Sequence, residues 1–304
     1  MDQLKALKVF CRIIELGSFA AAARDLGLSP AMVGNHVRAL EEWYGTPLLL
    51  RTTRQQNLTE EGREVAERAT AILAEMTALE EVAKRGSDPE GHVRISAPVG
   101  IGRYFVAPIM RRLSLQYPKL RVELRLSDQP EDLVRSGVDL AIRNGPLVGG
   151  ESLIARVVAR RPLVLAAAPA YASTSGMPAS LDDLRSHRTV RYCRDGRPRP
   201  WLFPTDEGLV QLDPPTGFMS DDIEALRDAA VDGVGITWLP DWLLASHFED
   251  GSLVQVMPNQ PAFSIETFLV RPHAALTKRV ALLNDVLASQ LKIGLGTSGG
   301  VRQS

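Results

Sequence analysis

Two cysteines in 304 residues, Cys11 and Cys193, provide no disulfide framework and no metal-ligand spacing. His92, His187, His247 and His273 are scattered, with no carboxylate or cysteine partner at ligand spacing, so neither a metal nor a cofactor is expected. Long apolar runs are missing too. Nothing approaches the roughly 20 uninterrupted apolar residues of a membrane span, so no membrane partner is expected. The N-terminus opens at once on an amphipathic helix, with Leu4, Leu7, Phe10, Cys11 and Ile14 on one face, in place of a charged leader, apolar block and cleavage site. A cytoplasmic protein is the expectation. There is no basic excess either: the net charge of −1 excludes a chain that coats nucleic acid along its length, while still allowing a local DNA-binding patch. Gly294-Leu295-Gly296-Thr297-Ser298-Gly299 has the spacing of a dinucleotide fingerprint, but the chain ends before a helix and second strand could follow.

What is present is concentrated near the front. Ser18 is placed to cap a helix that continues through four alanines, Ala20 to Ala23, and Gly27 stops it. Ser29 and Pro30 restart a helix as N-cap and first-turn proline. Two short helices joined by so tight a turn make a helix-turn-helix. Ala22, Ala23 and Leu26 on the first, and Val33, Val37 and Leu40 on the second, give each helix one apolar face. The helix start Ser29-Pro30-Ala31 and the remaining face, Met32, Gly34, Asn35, His36 and Arg38, are then available to a DNA major groove. Gly45 to Arg54 reads as a small wing, with Arg51 and Arg54 as candidates for phosphate or the minor groove; the bland alternative for both is solvated surface charge.

Thr59-Glu60-Glu61-Gly62 caps a long helix expected over 59–85, in which Val65, Ala69, Ile72, Met76, Leu79 and Ala83 alternate four- and three-residue spacings. That narrow heptad seam predicts a homodimer. Gly86 to Gly91 is a linker by composition. Beyond it the period changes to two, with strands around Val93 to Ala97 and Leu120 to Leu126. Helices over 101–117 and 130–136, and a strand over 138–143, continue the alternation. A second set follows from about Leu165: strands 188–192, 234–237 and 264–271, with helices 221–232, 240–248 and 275–291. This pattern predicts α/β crossovers and a largely parallel sheet. Gly294 to Ser304 reads as a flexible tail. Trp201 and Trp238 read as core, and the Arg194, Arg197 and Arg199 run as a solvated loop.

In open α/β sheets ligands sit at the carboxyl ends of strands, where helix N-termini offer N–H groups to anions. Ser96-Ala97-Pro98-Val99-Gly100 leaves the first strand and begins a helix, and Ser220-Asp221-Asp222 begins the helix before Gly233. Arg143 and Asn144 end the strand 138–143. Ser96, Pro98, Val99, Gly100, Arg143, Asn144, Ser220 and Asp221 are therefore the candidate effector contacts. They suit a small carboxylate or other polar metabolite, with Asp221 alternatively serving only as a helix cap.

The chain resembles the LysR-type transcriptional regulators. Leu4, Phe10, Gly17-Ser18-Phe19, Ala22-Ala23, Leu26, Ser29, Val33, Val37, Leu40-Glu41, Gly45, Pro47-Leu48, Arg51, Leu58-Thr59 and Gly62 carry the resemblance in front. Asp139-Leu140-Ala141-Ile142-Arg143 and Gly233 to Pro240 carry it behind. It implies an N-terminal winged helix-turn-helix, a linker helix and an α/β periplasmic-binding-protein-like effector domain of two subdomains. The expected division is 1–58 for the DNA-binding domain, 59–91 for linker helix and hinge, 92–292 for the effector domain and 293–304 for the tail. Within the effector domain, 92–164 and 267–292 form one subdomain and 165–266 the other, crossing near Leu163 to Ala167 and Phe263 to Thr267. It further implies a regulator of double-stranded DNA that assembles as a dimer or tetramer, responds to a small-molecule effector and contacts RNA polymerase. The sequence departs from the family pattern at Gly34-Asn35-His36 and at Leu49, so the bases it reads are its own. Two rivals remain: a regulator without a small effector, and a solute-binding protein or enzyme. For the enzyme there is no nucleophile with a nearby base, no metal cluster and no phosphate loop.

Overall fold

The structure, a computed structural model, describes residues 2–51, 56–83, 88–147, 153–273 and 276–296. Its front is three helices, α1 (Gln3–Leu16), α2 (Phe19–Leu26) and α3 (Pro30–Tyr44), followed by the antiparallel pair β1 (Leu49–Arg51) and β2 (Gln56–Leu58). Each helix starts and stops where its sequence says. The Ser18 hydroxyl accepts from Ala21 N–H at 3.1 Å and that of Ser29 from Met32 N–H at 3.2 Å. Gly27 takes a left-handed φ of 63°, and Leu28 N–H closes back on the Ala23 carbonyl at 2.9 Å. Phe10, Ile13, Ala22, Ala23, Val33, Val37, Leu40 and Leu48 form the core of this head. Arg12 clamps Asp25 with two 2.6 Å hydrogen bonds, joining α1 to α2.

The long helix α4 (Glu60–Ala83) begins with the Thr59 hydroxyl accepting from Gly62 N–H at 2.8 Å. A Cβ at Gly62 would run into the Leu48 carbonyl, so only glycine lets α4 pass the wing this closely. The expected dimer seam divides here. Val65 and Ala69 pack into the head's own core, whereas Ile72 and Met76 are exposed. The side chains of Leu79 and Ala83, like Gly86 and Ser87 of the expected linker, lie outside the described residues.

Behind the head, β3 (Gly91–Ala97), α5 (Val99–Ile101), a π-helical turn (Gly102–Val106), α6 (Ala107–Gln116), β4 (Leu120–Leu126) and β5 (Leu140–Asn144) build a first lobe. The strand β6 (Leu153–Ala167) leads into a second lobe: α7 (Pro169–Ser175), β7 (Thr189–Arg194), β8 (Arg197–Pro198), β9 (Trp201–Thr205), β10 (Gly208–Leu212), β11 (Thr216–Ser220), α8 (Ile223–Val231), β12 (Ile236–Pro240), α9 (Asp241–Glu249) and β13 (Val254–Val256). β14 (Ser264–Pro272) and α10 (Lys278–Gly296) return to the first lobe.

The main sheet runs β11-β7-β12-β6-β14-β5-β3-β4. It is mixed, a correction to the largely parallel sheet expected. β3 is parallel to β4 and β5, and β7 to β11 and β12, but β6 and β14 run antiparallel to their neighbours. The fifteen residues of β6 pair with β14 up to Pro162 and with β12 from Leu163 onward. One strand thus serves both lobes. Buried Arg161 stands at this junction, paired with Asp241 at 2.6 and 2.9 Å and donating to the Leu295 carbonyl at 3.1 Å.

Three further expectations need correction. Residues 130–136 form a single capped turn rather than a longer helix: the Asp132 carboxylate accepts from Val134 N–H (3.1 Å) and Arg135 N–H (3.0 Å) at its start, but Gly137 at once takes a left-handed φ of 65° and Val138 N–H closes back on the Leu133 carbonyl at 3.0 Å. The helix expected over 101–117 is interrupted by the π turn, where a Cβ on Gly102 would strike Leu126. The tail does not begin at 293: α10 continues to Gly296 because Leu295 is buried in the first-lobe core, while 297–304 lie outside the described residues. Trp201 is core, with Phe203 and Trp238 against it. Among the described residues no helix is long and apolar enough to cross a membrane.

Candidate functional site

The start and outer face of α3 present Ser29, Pro30, Ala31, Met32, Asn35 and Arg38 to solvent, with Gly34 and His36 half-buried between them. Arg38 lies 3.5 Å from the Asn35 side-chain oxygen, too weak a contact to commit either group. Nothing lies within 4 Å of a Cβ built on Gly34, so no packing within the chain requires glycine there. The Glu41 carboxylate accepts from Leu48 and Leu49 N–H at 2.9 and 3.3 Å and sets the wing beside α3. Arg51 lies on β1; its side chain, and all of Arg54, fall outside the described residues.

The second candidate site lies where strand ends of both lobes meet. Ser96, fully buried near the end of β3, donates to Glu131 Oε2 at 2.9 Å and accepts from Arg143 at 2.9 Å. Arg143 also bonds the same Glu131 oxygen at 3.2 Å and its own neighbour's carbonyl, Ile142 O, at 2.9 Å. Burial draws the Arg143 pKa below its ordinary value, and Glu131 opposes that shift. The sequence reading placed Ser96 and Arg143 in one cleft but missed Glu131, which it assigned to a helix.

Asp128 was missed as well, although it follows the carboxyl end of β4, where the strand-end rule looks. Its carboxylate receives Val99 N–H at 3.4 Å, and its carbonyl receives Arg194 of the second lobe at 3.2 Å. Burial pushes its pKa up; the Val99 hydrogen bond and Arg194 oppose this, and Asp222 and Asp221 push it further up. Tyr192 is raised by burial and then by the charge of Asp128. Asp128 therefore joins the two rims.

The helix N-termini expected to be open to anions are occupied by the chain's own carboxylates. Asp128 takes Val99 N–H. At α8, Asp222 accepts from Glu224 N–H (2.8 Å) and Ala225 N–H (3.0 Å), and Ser220 Oγ accepts from Asp222 N–H at 3.1 Å. Exposed Asp221 lies beside this cap and within electrostatic reach of Asp128. Asn144 is committed to the neighbouring strand, accepting from Thr267 Oγ1 at 3.0 Å. Pro98 and Gly100 are buried, and a Cβ on Gly100 would collide with Ile223 of the other lobe. At the rim, Tyr104 donates to Glu224 at 2.6 Å, Arg103 pairs with Glu224, and Trp242 packs tilted against Tyr104 and edge-to-face with Phe105. The lobes are thus held together on this side.

A DNA-reading helix on a compact head, joined by a long helix to a two-lobed α/β domain with a charged cleft, defines a ligand-responsive DNA-binding protein. The chain belongs to the LysR family of transcriptional regulators: residues 4–63 match the family model of the bacterial regulatory helix-turn-helix protein, lysR family, and residues 86–292 that of the LysR substrate binding domain. It is 32% identical over 274 residues to an HTH-type transcriptional regulator of Haemophilus influenzae, covering 90% of this chain and 95% of that one. It is 34% identical over 263 residues to the regulator DmlR of Escherichia coli, covering 85% of each. The full-length structure of the virulence activator AphB of Vibrio cholerae superposes with a TM-score of 0.60 at 27% identity, over 94% of this chain and 98% of that one.

Proposed function

We propose that two heads, paired through α4 around Ile72 and Met76, place their α3 helices in successive major grooves of a specific double-stranded site, and that a small polar effector held between the lobes alters this binding. The DNA-reading residues are Ser29, Pro30, Ala31, Met32, Gly34, Asn35, His36 and Arg38, with Arg51 and Arg54 from the wing. The effector residues are Ser96, Pro98, Val99, Gly100, Arg143, Ser220 and Asp221, joined by Asp128, Glu131 and Arg194. The working units are 1–58, 59–91 and 92–292, the last split at 164/165 and 266/267. Effector domains join dimers into tetramers in the cytoplasm, and the assembled regulator acts on RNA polymerase through the shape it imposes on DNA.

The observation that carries the effector reading is the Ser96–Glu131–Arg143 network facing Asp128 and Arg194 across the two lobes. An acceptor group entering the cleft takes Glu131's place on Arg143 and Ser96, while its donor groups meet Asp128 and Asp221. A carboxylate with a hydroxyl or amine fits this description. Thermal unfolding across a panel of small hydroxy-, amino- and dicarboxylic acids tests it. A bound compound at a hundredfold excess over its dissociation constant stabilises by about 2.7 kcal/mol. The expected hit raises the melting temperature of the wild type and leaves Arg143→Ala unmoved. A panel with no hit favours a regulator without a small effector.

A further inference from the structure

The segment after Glu131 leaves the cleft and reaches the DNA-binding head within six residues. Residues 131–137 form a closed unit. Besides the Asp132 cap, Ser136 N–H and Oγ both bond the Asp132 carbonyl, at 3.0 and 2.7 Å, and Gly137 N–H bonds the Val134 carbonyl at 3.2 Å. Arg125, hydrogen-bonded to Glu123 at 2.7 Å, lends its charge to both ends of the unit, lying 3.9 Å from Glu131 Oε1 and 3.5 Å from the Ser136 carbonyl. Buried Leu133 anchors it in a small core with Val138, Ala141 and Val270.

The far face of this unit meets the head. Val134 and Arg135 share a cavity of about 40 Å³ with Cys11 and Ile14 of α1 and Ala66 and Thr70 of α4. Elsewhere between head and first lobe, the hydrogen bond from Arg12, with the charge of Arg94 of β3 adding to it, holds the Asp25 carboxyl of α2 below the usual range. A gap of this size with Arg63, Thr70, Asp132 and Arg135 in its wall has room for water, so this joint is not close-packed protein on protein and is cheaper to open than one that is. The turn therefore has one foot in the cleft, through Glu131, and one face on the head, at an imperfectly packed joint.

We propose that the 131–137 turn is the lever by which the cleft controls the head: when Arg143 and Ser96 are drawn from Glu131, the turn is released and the head loosens from the effector domain. The inference rests on the effector reading for its trigger, but the lever itself can be tested without any effector. Cys11, partly exposed in the closed joint, reports on it, since opening bares the residue further. In a Cys193→Ser background, the rate of Cys11 alkylation by N-ethylmaleimide follows the open population. Glu131→Gln and Ser96→Ala weaken the cleft end, Asp132→Ala removes the side-chain acceptor that caps the turn itself, and Asp182→Asn, in the second lobe, serves as control. The expected result is a rise of about fivefold or more for the cleft and turn variants, with the control unchanged. Ser96→Ala removes a single oxygen, so it reads the lever even if Glu131→Gln disturbs folding. Cys11 rates equal to the parent in Ser96→Ala and Glu131→Gln, at unchanged melting temperature, would overturn the proposal. A failed metabolite panel beside a positive alkylation result would instead remove the effector and leave the lever.

Discussion

Gly34 is a test of what the reading helix needs. Glycine inside a helix costs about 1 kcal/mol against alanine, and no neighbour within the chain occupies the space of its Cβ. Gly34→Ala should therefore stabilise the head by up to about 1 kcal/mol in chemical denaturation. If the glycine lets the backbone approach DNA, the same variant loses operator affinity in a gel shift, so stability and function move in opposite directions. Asp128 gives a second residue-scale prediction. Its pKa is raised in the folded protein, so the folded state holds its proton more tightly. Stability from this group is full below the ordinary carboxylate value near about 4 and is lost as pH rises through the raised value. Asp128→Asn should accordingly raise the melting temperature at neutral pH, and the advantage should vanish in acid. An equal effect at both pH values would mean that burial of the charge is not the cause.

Among the elements, the head was nearly fully legible and the cleft was not. Ser18, Gly27, Ser29 and Pro30 act locally, so their capping chemistry fixes helix ends whatever the remainder of the chain does. The long-range partners were hidden for the opposite reason. Glu131 meets Arg143, and Asp128 meets Arg194, only because the sheet brings separated segments together, and no spacing in the chain encodes that. The turn at 131–137 was misread as a helix because its cap, Asp132, is that of a helix, and Gly137 ends it after one turn. β6 was not expected as a strand, only as a crossing near Leu163 to Ala167, since a strand serving two lobes shows no single alternation along its fifteen residues. Its junction is also where an element-scale prediction belongs. Arg161→Ala leaves the partly buried Asp241 with only the Trp242 N–H bond and should destabilise the effector domain by about 2–3 kcal/mol in urea unfolding. Gly62→Ala forces α4 away from the Leu48 carbonyl and should loosen head from helix, seen as earlier unfolding of the head.

At the scale of the whole molecule, the chain sets a reading helix and a charged cleft on one covalent frame. Coupling between such sites is typically about 1–3 kcal/mol, enough to change occupancy severalfold without abolishing binding. The proposed lever at residues 131–137 would need to carry a coupling of only that size. The central claim remains that α3 reads DNA. Its most direct test is the affinity of Arg38→Ala against wild type for a genomic fragment selected by the wild-type protein, with oligomer mass measured by light scattering. Loss of about 1–3 kcal/mol of binding at unchanged mass is the predicted result. Equal affinity for the fragment at the same salt concentration would contradict the account.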